Sequence, residues 1–155
     1  MKQPVASTSR AIRIVTAAVL ILNAGLYVAA LIQPAAIYAA VGVSAIVLIS
    51  YFLWTPVAYE LAGGELSVHF RIGGKRYSPV TKCSPVEGPL RAGIRVFGNG
   101  GLFAGSGIFW NRKYGLHRAY VTSTKPEDLV LVETPDTRIL ISPQDAGAWL
   151  RASGR

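Results

Sequence analysis

The sequence predicts a membrane α-helical hairpin of two spans followed by a mainly β domain, about seven short antiparallel strands closed by one C-terminal helix. Three observations lead there. Between Arg13 and Glu60 the chain contains no Asp, Glu, Lys, Arg or His. From Pro56 onward, continuous apolar sequence gives way to short alternating runs broken by Gly and Pro. At the end of the chain the apolar residues return to helical spacing.

The charge-free half is read first. A helix crossing bilayer hydrocarbon needs about 20 apolar residues, and a central charge costs about 2.5–3.5 kcal/mol on insertion scales. Ile14 to Ile32 meets that length, Gln33 and Pro34 interrupt, and Ala35 to Trp54 meets it again. The expected spans are therefore about 12–32 and 35–54. They are joined by a turn too short for anything but antiparallel neighbours. Tyr51, Phe52 and Trp54 fall at the end of the second span, where amphipathic rings prefer the interface. Small residues on both segments (Ala24 and Gly25 on one, Ala40, Gly42 and Ser44 on the other) suit close helix packing. Asn23 is the one strongly polar residue inside a span, and its amide is expected to bond a neighbouring helix or a second subunit, as in a homo-oligomer.

Basic residues set the orientation. Lys2, Arg10 and Arg13 precede the first span and Arg71, Lys75 and Arg76 follow the second, while the connecting turn is uncharged. The positive-inside rule then puts both termini in the cytoplasm, with residues 1–11 as a tail, of a multi-pass protein of the cell (inner) membrane. The competing reading is a cleaved signal peptide. Its apolar core would be longer than the 7–15 residues usual for one, and a mature start near Gln33 would establish it.

The second half, residues 55–155, reads as strands. Glu65 to Ile72 alternates strictly between Gly63-Gly64 and Gly73-Gly74. Further strands are expected at Tyr77–Val80, Leu90–Phe97, Leu102–Trp110 and Leu116–Ser123, with a final hairpin of Leu129–Glu133 and Arg138–Ile141. A closing helix is expected over about 143–152, with Ser142 as N-cap and Pro143 at its first position. Short antiparallel sheets need closure, and Trp149 suits the role of plugging a barrel end.

Several motifs then occur in order. They are Arg95-Val-Phe-Gly98-Asn-Gly-Gly101-Leu-Phe103, Gly105 and Gly107 with Phe109, Gly115, Ala119-Tyr120-Val-Thr122, and Ile141-Ser-Pro143 with Asp145. Together they resemble a bacterial pleckstrin-homology-like (PH-like) family of membrane-associated proteins, over roughly Pro56 to Ala152. The chain departs from that pattern at Ala104-Gly105-Ser106, where an aromatic residue is expected. The resemblance implies a PH-like antiparallel β-barrel capped by a helix. It implies binding of lipids, peptides or proteins in general and no defined ligand among bacterial relatives.

The function classes follow from what the residues can do. Gly98-Asn99-Gly100-Gly101 offers consecutive N–H groups but no Walker or dinucleotide pattern, so glycines turning a hairpin explain it better than a phosphate loop. Arg91, Arg95, Arg112, Lys113 and Arg118 are the candidate anion- or partner-binding residues, provided that they converge. The alternative is a solubilising basic surface, in keeping with a net charge of +8. His69 and His117 have no metal-ligand spacing near them, and the few acids sit at turns or in the last helix cap. Single Cys83 forms no intramolecular disulfide. No catalytic residue, metal site or cofactor is expected, and no nucleic-acid partner, because the aromatics lie on core faces. The expected function is non-enzymatic. A membrane-anchored binding or scaffold module would engage a partner protein or anionic lipid headgroups. The alternative is a structural, oligomerising subunit of a membrane complex.

Overall fold

The computed structural model describes residues 1–88 and 94–154. Along the chain it forms β1 (Lys2–Pro4), α1 (Arg10–Ala30), α2 (Ala36–Leu53), β2 (Pro56–Ala62), β3 (Glu65–Phe70), β4 (Gly74–Tyr77) and β5 (Lys82–Pro85). It continues through β6 (Ile94–Gly100), β7 (Gly105–Asn111), β8 (Gly115–Val121), a 3-10 turn at Pro126–Asp128, β9 (Val130–Glu133), β10 (Arg138–Ile141) and α3 (Ala146–Ser153).

Both apolar segments are helices, each long and apolar enough to cross a membrane. They pack as a hairpin, and Asn23 Nδ2 donates to Ser44 Oγ across it at 2.9 Å, with the Tyr27 hydroxyl 3.0 Å from the same oxygen. Little else of the pair is buried: only Ile12 in α1, and Ala40 and Ser50 in α2.

The residues before α1, read from sequence as a tail, are part of the β domain. β1 pairs antiparallel with β2, Lys2 opposite Glu60 and Pro4 opposite Ala58. Met1 and Leu61 exchange backbone bonds, Ala6 N–H donates to Ser142 O at 2.8 Å, and Ser9 N–H to Thr122 O at 2.9 Å. Three residues carry too short an alternation to read as a strand, so only the partner reveals this one.

The expected closed barrel of about seven antiparallel strands is corrected in three respects. The described strands form two sheets that do not close, ordered β1-β2-β3-β4 and β5-β9-β10-β8-β7-β6. Two of the four edge strands end on prolines, Pro4 and Pro85, which have no N–H to offer a further strand. Not every pair is antiparallel either: β10 runs parallel to β8, Ile139 opposite Arg118. The β9–β10 hairpin docks through its second strand, so its direction matches β8. β2 and β5 are additional strands, β4 stops at Tyr77 before Pro79, and the expected strand Leu90–Phe97 lies partly outside the described residues.

The C-terminal helix starts later than read. Asp145, not Ser142, is its N-cap, accepting from Ala148 N–H at 2.7 Å through Oδ1. Ser142 instead turns inward, where its Oγ accepts from Thr122 N–H at 2.8 Å.

The main core lies between the sheets under α3, where Tyr59, Leu66, Val68, Val132, Ile139, Ile141 and Trp149 are fully buried. Trp149 fills this core, its ring edge-on to Tyr59 at 6.3 Å, and does not plug a barrel end. The Tyr59 hydroxyl donates to Tyr120 O at 2.5 Å, and burial raises its pKa well above the usual phenol range. A second cluster, with Leu129, Leu131 and Leu140, covers the other face of the six-stranded sheet.

Candidate functional site

The sandwich is tight at its β9–β10 end and open at its β6–β7 end. Register fixes which side chains face the opening. Tyr120 lies opposite Ser106, Arg118 opposite Ile108, and Leu116 opposite Trp110, so these share the face that looks toward the four-stranded sheet. Phe97 and Ile94 of the edge strand β6 continue that face. Both are well exposed, Phe97 at 66 %.

Within the opening is a cleft of about 160 Å³, with Trp54, Phe70, Phe97 and Ile108 as apolar walls and Lys75, Ser106, Arg118 and Tyr120 as polar groups. Strand β4 brings Lys75 to it and sets Tyr77 at its margin, against Tyr120. Lys75 Nζ lies 3.3 Å from the Tyr120 hydroxyl, and that hydroxyl is 2.7 Å from the Tyr77 hydroxyl. The Arg118 guanidinium stands 5.9 Å over the Tyr77 ring. Burial raises the Tyr77 pKa well above the usual phenol range, and the neighbouring Tyr120 phenol adds to it, so the Tyr77 phenol stays neutral. Burial alone would lower the Arg118 pKa, but its bonds to Tyr120 and Tyr77 outweigh that and raise it.

Two features mark this cleft chemically. The ion pairs among the described residues are His69–Glu60, Arg76–Glu65 and Arg138–Glu133, and none involves Lys75 or Arg118. Ser106, only 3 % exposed, has a buried hydroxyl with no hydrogen-bond partner. Arg118 also lines a wider hollow of about 550 Å³ beside the cleft, with Arg76, Thr134, Asp136 and Thr137, so the acid-free stretch is the narrower cleft alone. Cations without acids, an idle hydroxyl donor and apolar walls make a site for an anion.

A family model described as Bacterial PH domain matches residues 57–153. The chain belongs to the bacterial PH domain family. No curated protein and no solved structure matches the chain. In this PH domain the match starts inside β2 and ends at the last residue of α3, so the hairpin and β1 lie outside it.

Among the described residues, the PH domain does not gather the sequence-predicted basic side chains into one patch. Arg118 faces the cleft, while Arg95, opposite Phe109, takes the other face of the sheet and lays its guanidinium along Gly100. Arg112 and Lys113 sit at the β7–β8 turn, Lys113 donating to Glu87 O. Arg91 lies outside the described residues.

The glycine motif is organised by Asn99, whose Oδ1 accepts from Gly101 and Leu102 N–H at 3.3 and 2.9 Å while its amide donates back to Leu102 O. Those N–H groups are spent inside the turn. Gly98 and Gly107 face each other across β6 and β7 at positive φ, and a β-carbon on either would collide with the backbone of the opposite strand.

Sequence reasoning counted Lys75 among the basic residues but not among the candidates, and gave Tyr77 and Ser106 no binding role. The expected strand began only at Tyr77, so that Lys75 and Tyr77, at i and i+2, share one face became visible only with β4 starting at Gly74. Among the described residues no group of three His, Cys, Asp or Glu is placed to hold a metal. Cys83 is half-buried, and burial raises its thiol pKa, which disfavours the reactive thiolate.

Proposed function

We propose that this chain is a non-enzymatic, membrane-anchored binding module, crossing the cell membrane twice with both termini cytoplasmic and taking an anionic lipid headgroup into the cleft between its sheets. The observation that carries this reading is the pairing of Lys75 with Arg118 over the Tyr77 and Tyr120 rings, in a cleft lined by no acid, beside Trp54 at the end of α2.

The anchoring part has its own support. Large apolar side chains project all along the hairpin, Ile21 at 73 % and Ile32 at 89 % exposed, which water does not tolerate over so large a patch. β1 and β2 are sheet neighbours flanking the hairpin, so both its ends lie on the same side of any membrane it crosses. The same pairing disfavours a cleaved signal peptide, because cleavage after α1 would strip β1 from its sheet. Anionic cytoplasmic lipid adds about 1 kcal/mol for each basic residue near the surface, and Arg10, Arg13 and Arg71 lie at the hairpin's base.

The test uses the full chain in nanodiscs. Native mass spectrometry should show one phosphatidylglycerol retained per chain in preference to phosphatidylcholine, and Lys75→Gln with Arg118→Gln should weaken retention about tenfold. The pair Arg112→Gln and Lys113→Gln should leave it unchanged. Equal retention of both lipids, or equal loss in both double variants, sinks the headgroup reading.

The second reading, a structural subunit that oligomerises in the bilayer or joins a partner membrane protein, draws on one observation: Asn23 Oδ1 is buried without a partner. Crosslinking in native membranes should then give discrete oligomers that Asn23→Leu weakens, and an unchanged ladder counts against it.

A further inference from the structure

We propose that the turn after β6, Gly100 to Phe103, is sunk below the membrane surface, so that the PH domain is a wedge seated in the lipid and not a globule resting on it. The inference rests on the two-span reading above and concerns a different surface, whose partner is the acyl-chain boundary of the leaflet that faces the domain.

The argument begins with where this turn touches the helices. Phe103 N–H donates to Thr16 Oγ1 at 2.9 Å, a β-carbon at Gly101 would stand 3.7 Å from Val15, and the Phe103 ring meets Tyr51 edge-on at 5.2 Å. None of these partners is at the end of its helix. α1 begins at Arg10, and α2 continues past Tyr51 to Leu53.

Length then decides the depth. At 1.5 Å per residue, Thr16 to Ala30 spans about 21 Å and Ala36 to Tyr51 about 22 Å. The hydrocarbon core is about 30 Å thick. A domain that stopped at the lipid surface, with its turn still on Thr16 and Tyr51, would leave both helices about 8 Å short, and tilt would lengthen the shortfall. Charge places the boundary independently. Arg13 is the last charged residue before the span, and Ile14 to Ala30 of α1 covers about 24 Å, all of which the core can take up. Thr16 is thus inside the boundary, and the turn bonded to it must be there too.

The turn has the chemistry for that position. From Val96 through Asn111 the chain carries no charged residue, and the one cation against the turn, Arg95 along Gly100, is on a stem long enough to carry its guanidinium up to the headgroups. Asn99 closes the turn's polar atoms on themselves, and Thr16 takes the Phe103 N–H, as backbone in a poor hydrogen-bonding solvent requires. Phe103 itself is held at φ +64°, strain that its docking on Thr16 and Tyr51 offsets. Around it stand residues that suit an interface. Arg71 stacks on Tyr51 at 4.2 Å, Ile72 N–H bonds Phe52 O at 3.1 Å, and Trp54 meets Phe97 at 6.3 Å.

The test reads depth in the full chain, reconstituted in phosphatidylcholine–phosphatidylglycerol vesicles with Cys83→Ser as background. Nitroxides on Gly100→Cys and Phe103→Cys should relax faster with membrane-dissolved oxygen than with a water-soluble nickel chelate. A nitroxide on Lys113→Cys should show the reverse. Nickel access at 100 and 103 equal to that at 113 overturns the wedge. If a cysteine at either turn position unfolds the protein, quenching of native Trp54 by lipids brominated high on the chain, referenced to Trp54→Phe, decides the same question, and absence of quenching overturns it. Impermeant thiol labelling of Ala35→Cys separates the two proposals: label reaching it from the Lys113 side removes the two-span reading itself, whereas label from the opposite side with nickel access at 100 removes the wedge alone.

Discussion

The six-stranded sheet has two halves that share one face and treat it differently. At β9 and β10 that face carries Val130, Val132, Ile139 and Ile141, all sealed under the smaller sheet and α3. At β6 and β7 it carries Ile94, Phe97, Ile108 and Trp110, left open beside Lys75 and Arg118. The residues are similarly apolar in both halves, so hydropathy does not separate them. What separates them is cover: the smaller sheet ends at β4, and the open half begins where it stops. The sealed half holds the fold, and the open half offers a surface.

The comparison is broken most directly by Trp149→Ala. It should cost about 3–5 kcal/mol in the unfolding free energy of the full chain in detergent, because Trp149 is fully buried among the strands of the sealed half. A loss below about 1 kcal/mol would mean that the sealed half is not the core.

Next, Gly107→Ala should cost about 2 kcal/mol or more, although it lies in the open half, because positive φ and the Phe97 carbonyl both exclude a β-carbon. Gly63→Ala, also at positive φ but with open space around it, should cost about 1 kcal/mol. Equal effects would show that the β6–β7 crossing is looser than the register indicates.

The third prediction concerns pH. Burial raises the Tyr59 and Tyr77 phenols, so the folded state favours their neutral forms. Below about pH 10 folded and unfolded chains both hold the protons and stability is flat. Above it the unfolded chain releases them first and stability falls. For fully buried Tyr59 the slope is about 1.4 kcal/mol per pH unit, and for the half-exposed Tyr77 solvent screening narrows the pH span over which its share is lost. Tyr59→Phe should flatten most of the fall, and Tyr77→Phe only a little. A slope unchanged by Tyr59→Phe would place the titrating group elsewhere.

The smallest effect is expected at Phe97→Ser, within about 0.5 kcal/mol, because an exposed side chain on an open edge has little contact to lose. A cost of several kcal/mol would show that this end is covered after all.

The physical reason for what could be read beforehand is range. Charge exclusion and span length are sums over neighbouring residues, so the two apolar helices were legible to within a residue or two at α1's start and α2's ends. Alternation did the same for β3, and the ordered glycine and aromatic motifs for PH-like membership. Asn23 was read as bonding a neighbouring helix or a second subunit, and that its amide reaches Ser44 of α2 needed the hairpin's register. The arginine set was read by charge alone. Charge in sequence carries no facing, so Arg95 and Arg118 fell on opposite sides of one sheet.

By itself, then, the sequence determined the two-helix hairpin, the β-rich half and its PH-like character, because each is written in local periodicity and composition. Only the tertiary structure decided that Lys2–Pro4 is a strand, that β8 and β10 run parallel, that the sheets stay open, and that Lys75, Ser106, Arg118 and Tyr120 meet in one cleft. Each of these depends on a partner distant in the chain, and pairing across such distances is set by which faces and edges are left to cover, a quantity that no window of sequence contains.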